Sequence, residues 1–184
     1  NYYRFSWDAQ RQYRRLVKVV NGQVTLLRQD TVAYVPNQKY QVEALAQGPT
    51  LEVRADAVPL FGGPVVDSAL ATGSVALYSW GNTGSVFEKV QVSVAPVSNL
   101  LLTDDFNDGD FLGWQVVNEG TWEAPSSWAV MGGALRQTSN IYDGNTDGAV
   151  LPKKGTFAWY TAGQSWSNYQ VGVELWSTDD DALG

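Results

Sequence analysis

Apolar and polar residues alternate with a period of two along most of the chain. In the first eight residues, NYYRFSWD, Tyr3, Phe5 and Trp7 alternate with Tyr2, Arg4 and Ser6, the pattern of a strand whose two faces meet different surroundings. Residues 16–20 then meet residues 24–27 across Asn21-Gly22, a dipeptide suited to a type I′ turn because both central residues need positive φ. The same habit predicts strands over residues 39–46 (KYQVEALA), 50–55 (TLEVRA), 74–80 (GSVALYSW less its glycine) and 85–94 (SVFEKVQVSV). Residues 113–117, 129–137, 156–161 and 169–177 continue it, and Gly-Pro, Gly-Gly-Pro and Gly-Asn signals punctuate the runs. No window keeps apolar residues at i, i+3, i+4 and i+7 for three turns, so at most one helical turn is predicted, at residues 67–70.

Roughly a dozen short strands with glycine-rich turns mean an all-β sandwich or barrel, and their aromatic alternation favours two large antiparallel sheets of the jelly-roll kind. The two halves do not align with one another, which argues against an internal duplication. Their order is unusual. The chain opens inside a strand-like run and stops just after another, SNYQVGVELWSTDDDALG, while VAPVSNLLL reads as a linker and LTDDFNDGDFLGW as the start of a domain. The expected organisation is a C-terminal sandwich half at 1–95, a linker at 96–102 and an N-terminal half at 103–184, together one domain equivalent.

Composition narrows the function classes. With 184 residues, 44% of them hydrophobic and 12% aromatic, the chain can bury a sizeable core. No stretch approaches the ~20 apolar residues of a membrane span. The net charge of −7 argues against nucleic acid, which demands clustered Lys and Arg. Arg11, Arg14, Arg15 and Lys18 do cluster, but strand alternation spreads them over both faces of a solvated hairpin. Arg14 and Arg15 with Tyr13 offer a stacking surface; an exposed hairpin is the plainer reading. The absence of Cys removes disulfides, zinc-thiolate sites and thiol nucleophiles. The absence of His removes the commonest general base and the Ser-His-Asp triad.

Three sets of residues suggest chemistry. Asp104, Asp105, Asn107, Asp108 and Asp110 fall within seven residues, and Ca²⁺ takes six to eight such oxygens. The spacing misses an EF-hand loop, because Gly109 comes one residue early, and the same aspartates also suit turn capping. The run Asp179–Asp181 reads as a plain turn. Eight Trp and nine Tyr exceed what a sandwich core needs, and flat rings flanked by amides bind sugars. Trp7, Tyr78, Trp80 and Asn82 are placed on strands that would share one face; Trp159, Trp166 and Trp176 lie elsewhere. Core packing is the competing reading for each ring, with one or two rings exposed. Of the six Glu, Glu119 and Glu123 flank a turn, and Glu52 and Asp56 share a strand that runs out at residues 57–59. The others, Glu43, Glu88 and Glu174, stand apart in sequence.

The segments DDFNDGDFLGWQVV, GTWE, GGALRQTSN, SWSNYQVGVELWSTDDDALG, NYYRFSWDAQRQYRRLVKVVNG and GSVALYSWGNTGSVFEKVQV resemble bacterial concanavalin A-like lectin/glucanase sandwiches, laminin-G-like repeats of large secreted proteins. The resemblance covers nearly the whole chain in permuted order: DDF comes first in the family, STDDDALG leads through one further strand into NYYRFSWD, and FEKVQV is last. It implies a structural Ca²⁺ near the family's chain start, here at Asp104 or Asp105. Glucanases of this fold carry E-x-D-x-x-E on one strand, and no Glu here sits in that pattern. The expectation is therefore a non-catalytic, secreted or cell-surface bacterial module that binds glycan or serves as a structural repeat or filament subunit; a glycoside hydrolase of the same fold is the alternative. The strand wanting between Gly184 and Asn1 leaves two closures, one within the chain and one by strand exchange with neighbouring copies, and exchange is the one favoured.

Overall fold

The computed structural model describes residues 1–95, 99–143 and 153–184. In chain order the strands are β1 (Tyr2–Asp8), β2 (Tyr13–Val20), β3 (Gln23–Asp30), β4 (Tyr40–Gln47), β5 (Thr50–Ala55), β6 (Val58–Pro59), β7 (Val65–Val66), β8 (Ala76–Trp80) and β9 (Ser85–Val94). They continue with β10 (Leu100–Asp104), β11 (Trp114–Asn118), β12 (Trp128–Val130), β13 (Leu135–Gln137), β14 (Thr156–Tyr160), β15 (Tyr169–Ser177) and β16 (Ala182–Leu183). One sheet runs β11-β14-β8-β16-β1-β2-β3 and the other β12-β13-β9-β15-β4-β5-β6, with β10 added to β9 and β7 to β5. The pairing is antiparallel, and the molecule is an all-β fold of two large sheets, as expected of a sandwich.

Strands from both halves of the chain alternate in each sheet. β16 lies between β8 and β1, and β15 between β9 and β4. The apolar residues of the inner faces, among them Trp7, Leu16, Val53, Phe87, Val92 and Leu175, form one buried cluster. A smaller one sits outside the seven-stranded sheet at Tyr78, Trp80 and Ala182. Described residues from both sides of positions 96–98 thus contribute to the main core.

The Asn21-Gly22 turn forms as predicted: Val20 pairs with Gln23, and the two turn residues have φ of 50° and 75°. Elsewhere the boundaries differ. Residues 129–137, read as one run, contain a hairpin of β12 and β13 around Gly132 and Gly133, both with positive φ. The predicted helical turn at 67–70 does not form, because Asp67 accepts the Ala69 N–H in a local turn instead. The one 3₁₀ turn among the described residues is Thr161–Gly163. Of the linker expected at 96–102, residues 96–98 lie outside the described residues. Leu100–Leu102 belong to β10, which folds back onto β9, with Val94 N–H donating to Asn99 C=O at 2.9 Å. Leu100–Leu102 are therefore part of the sheet and not of a linker; the linker reading failed there because three consecutive leucines carry no alternation.

Candidate functional site

The seven-stranded sheet is incomplete along one seam. β1 and β8 are each separated from the other by the width of one strand, and β16 fills only one end of that space. There Trp7 pairs with Leu183, Ala182 with Trp80, and Leu183 with Ser79. Gly184 closes the short ladder: its N–H donates to Tyr78 C=O at 3.0 Å and its C=O accepts the Tyr78 N–H at 2.6 Å. Past Gly184 the space is open. It is a slot of about 640 Å³ walled by residues 1–5 of β1 on one side and 73–78 on the other, floored by Leu16, Val42, Val53, Val171 and Val173. Inter-strand spacing places its walls about 10 Å apart, two ladder steps of ~4.8 Å.

That volume falls in the range of small-ligand pockets, about 300–1,000 Å³, so size does not identify the occupant. The walls do. Main-chain N–H and C=O groups alternate sides along a strand. Because Gly184 bonds to β8, Leu183 turns its own groups to Trp7, and the alternation directs those of Tyr3 and Phe5 into the slot. On the other wall Tyr78 bonds to Gly184, so Ala76 faces the slot in the same way. Both walls thus present sheet edges, and the floor is the apolar core.

Polar groups mark the outer mouth. The Arg4 guanidinium lies 4.3 Å from the Tyr78 ring centre and 6.0 Å from that of Tyr2, and its Nη1 donates to Lys153 C=O at 2.9 Å. Its Nε is buried with no hydrogen-bond partner among the described residues. Tyr2 donates to Glu119 at 3.2 Å, and burial with that neighbouring carboxylate pushes its hydroxyl up to about 12 against the pull of Arg4. At the far rim Tyr3 donates to Asp67 Oδ1 at 2.6 Å, and Lys18 pairs with the other oxygen. Together these hold the Asp67 carboxyl down to about 2.

The filled end of the seam is charged and closed. Asp8 is wholly buried and meets Lys153 Nζ at 3.4 Å and Arg11 Nη1 at 3.3 Å, and Arg11 also binds Asp181. Trp80 packs between the two cations, its ring centre 3.8 Å from Lys153 Nζ and 4.7 Å from the Arg11 guanidinium. Burial pushes the Lys153 ammonium down to about 8, against the pull of Asp8.

This packing accounts for the four residues predicted to present a sugar-binding face, all of which are buried. Trp7 points into the core, packs against Tyr40 with ring centres 4.6 Å apart and tilted by 48°, and donates to Val32 C=O. Tyr78 and Trp80 lie on the opposite face, over Arg4 and the cation pair. Asn82 donates to Tyr34 Oη and Asp181 C=O while accepting from Ser177 and Gly84, which pins the 179–181 turn to the start of β9. Trp122, 63% exposed and stacked at 8° on Tyr142, is the open ring.

The aspartates at 104–110 each accept a local hydrogen bond. Asp104 accepts from Phe106 N–H and, at 2.7 Å, from Trp114 Nε1; Asp105 accepts from Asn107; Asp108 and Asp110 each accept the N–H two residues on. Burial nevertheless raises the Asp104 carboxyl. The carboxylates whose oxygens lie within 4.8 Å of one another, among the described residues, are those of Asp179, Asp180 and Asp181 instead. Asp181 is engaged by Arg11, and Asp179 accepts from Thr83 N–H and Oγ1.

Glu88 and Glu174 face each other across β9 and β15, as no spacing in the sequence announced. Lys39 bridges them and Lys89 binds Glu174, which holds Glu174 below the usual carboxyl range. A general acid needs the opposite shift.

Arg4, Phe5, Ala76 and Gly184, which line the slot, carry no motif in the sequence; their one signal is the break in the order of the strand-like runs. No protein-family model matches the chain, and no curated protein matches it.

Proposed function

We propose that the chain is a non-catalytic structural module of a secreted or cell-surface bacterial protein, a concanavalin A-like jelly roll in permuted strand order. Its neighbours, copies of the chain among them, complete it by strand addition. The observation that carries this reading is the slot between β1 and β8, with a main-chain edge on each side and an apolar floor. Strand addition supplies affinity through main-chain hydrogen bonds and specificity through alternate side chains, and both elements line this space. The clamped pair Glu88–Glu174 and the lack of His favour a structural role over hydrolysis.

Multi-angle light scattering over a concentration series tests association between copies. Dimers or longer species that grow with concentration are expected. A monodisperse monomer at the highest concentration removes copy-to-copy assembly.

A further inference from the structure

The charged cluster at the filled end of the seam holds an amine and a carboxyl group in a dry, pinned arrangement. Lys153 is 3% exposed and Asp8 wholly buried, and Lys153 Nζ donates to Asp8 Oδ2 at 3.4 Å. Among the described residues this is the one hydrogen bond of an ammonium group that has three protons to donate. Its other neighbours are rings, with the centre of Trp80 at 3.8 Å and that of Tyr13 at 5.4 Å. Neither partner can readily turn away. The Lys153 C=O accepts from Arg4 Nη1 at 2.9 Å and from Tyr78 Oη at 2.8 Å, which fixes its backbone. Asp8 Oδ1 accepts the Arg11 N–H at 2.7 Å, which orients the carboxyl group. The Tyr13 hydroxyl is buried with no hydrogen-bond partner among the described residues. Burial and the nearby Asp8 charge push its ionisation up, so it is a neutral proton donor next to that carboxylate.

We propose that Lys153 and Asp8 condense to an isopeptide bond, a covalent modification that ties the end of β1 to the segment entering β14. The step needs no other reagent. A proton passes from the Lys153 ammonium to Asp8 Oδ2 along their hydrogen bond, and the neutral amine adds to Cγ. The negative charge that develops on Oδ1 is met by the Arg11 N–H already in place. The Cγ–Oδ2 bond then breaks, and Oδ2 leaves as water with that first proton and a second from the amine. Oδ1 remains as the amide oxygen. One Nζ–Cγ bond has formed, and net charge is unchanged. Fixed proximity gives the pair an effective concentration on the order of 10⁵–10⁸ M. Condensation removes two buried charges that are costly to hold out of water, and Arg11 keeps Asp181 as its counter-ion. The bond joins residues 145 positions apart. The pair in the structure is the reactant, and until it condenses it titrates as the ion pair described above. None of this depends on what fills the slot.

The test is intact-mass and tryptic mass spectrometry of the 184-residue chain, kept folded near neutral pH for several days and then denatured. A chain lighter than its sequence by one water is expected. Trypsin does not cut after an acylated lysine, so the digest should contain a branched peptide joining residues 5–11 to residues 137–154. Lys153→Arg keeps the positive charge and removes the nucleophile; it is expected to retain the full mass and to release residues 5–11 as a separate peptide. The branched peptide in the parent chain decides the matter even if that variant fails to fold. A water lost without the branched peptide, or lost equally from Lys153→Arg, places the dehydration elsewhere, as in a succinimide at Asp108-Gly109, and overturns the proposal. Full mass and two separate peptides from a parent chain whose circular dichroism shows the folded β-structure overturn it as well.

Discussion

The same two strands, β1 and β8, behave differently at their two ends. Where β16 lies between them, three residues of ladder are reinforced by Asp8, Arg11, Lys153 and Asp181, with Trp80 packed among the cations. Where β16 stops, the walls keep their apolar inner residues and carry almost no charge except Arg4. Charge pairs complete the end whose main chain is satisfied. The other end relies on shape and unused ladder positions, which are the features a partner strand reads. Side-chain chemistry locks one end, and the other keeps unpaired ladder positions over an apolar floor.

The largest expected effect lies at the locked end. Asp8→Ala leaves Lys153, itself 3% exposed, and Arg11 without their shared buried carboxylate. Removing one partner from such a cluster costs about 3–5 kcal/mol, to be read as a drop in the urea midpoint with unchanged m-value. A loss below about 1 kcal/mol, the range of surface pairs, would show that water reaches this cluster and that the two ends do not differ as described.

Hydrogen exchange sharpens the contrast within a single strand. The Trp7 amide faces Leu183 across a formed ladder, whereas those of Phe5 and Tyr3 face the slot. The Phe5 and Tyr3 amides are expected to exchange on the order of a thousandfold faster than that of Trp7, the gap between local and near-global opening. A strand bound in the slot should close that gap. Equal protection of all three amides without any partner would mean that the slot is already occupied.

The strands themselves were largely legible: the period-2 runs at residues 50–55, 85–94 and 169–177 coincide with β5, β9 and β15. Alternation failed where it is absent, at the leucines of β10 and in the two-residue β16. The site was harder to read. An aromatic such as Trp80 looks alike in sequence whether it meets a sugar or shields a Lys–Asp pair, because the cation arrives from Lys153, 73 positions away. The loop at Asp104–Asp110 has the composition of a cation site and also of a run of Asx turns, and its aspartates accept from the loop's own backbone, from Asn107 and from Trp114. A slot is a missing neighbour, and no residue type announces one; only the order of the strands hinted at it.

The smallest effect separates the two ends by pH. Lys153 at the locked end has its folded pKa pushed down to about 8, below its ordinary 10.5. Between these values the unfolded chain binds more protons than the folded one, so stability rises as pH is raised from about 8 towards 10.5. Lys153→Met should flatten that rise. Asp67 at the open rim has its folded pKa lowered from 3.8 to about 2 by Lys18 and Tyr3. Its contribution is full above 3.8 and is lost as pH falls through about 2, with a size of about 1 kcal/mol after allowance for solvent at the rim. Lys18→Met should remove most of this acid-side slope and leave the alkaline rise intact, because the two groups sit at opposite ends of β1. Urea melts of the parent and the two variants at pH 2.5, 6, 8 and 10 give the acid and alkaline slopes of each. If Lys18→Met altered the alkaline limb as strongly as the acid one, the ends would be coupled and the slot could not be treated as separate from the charged cluster.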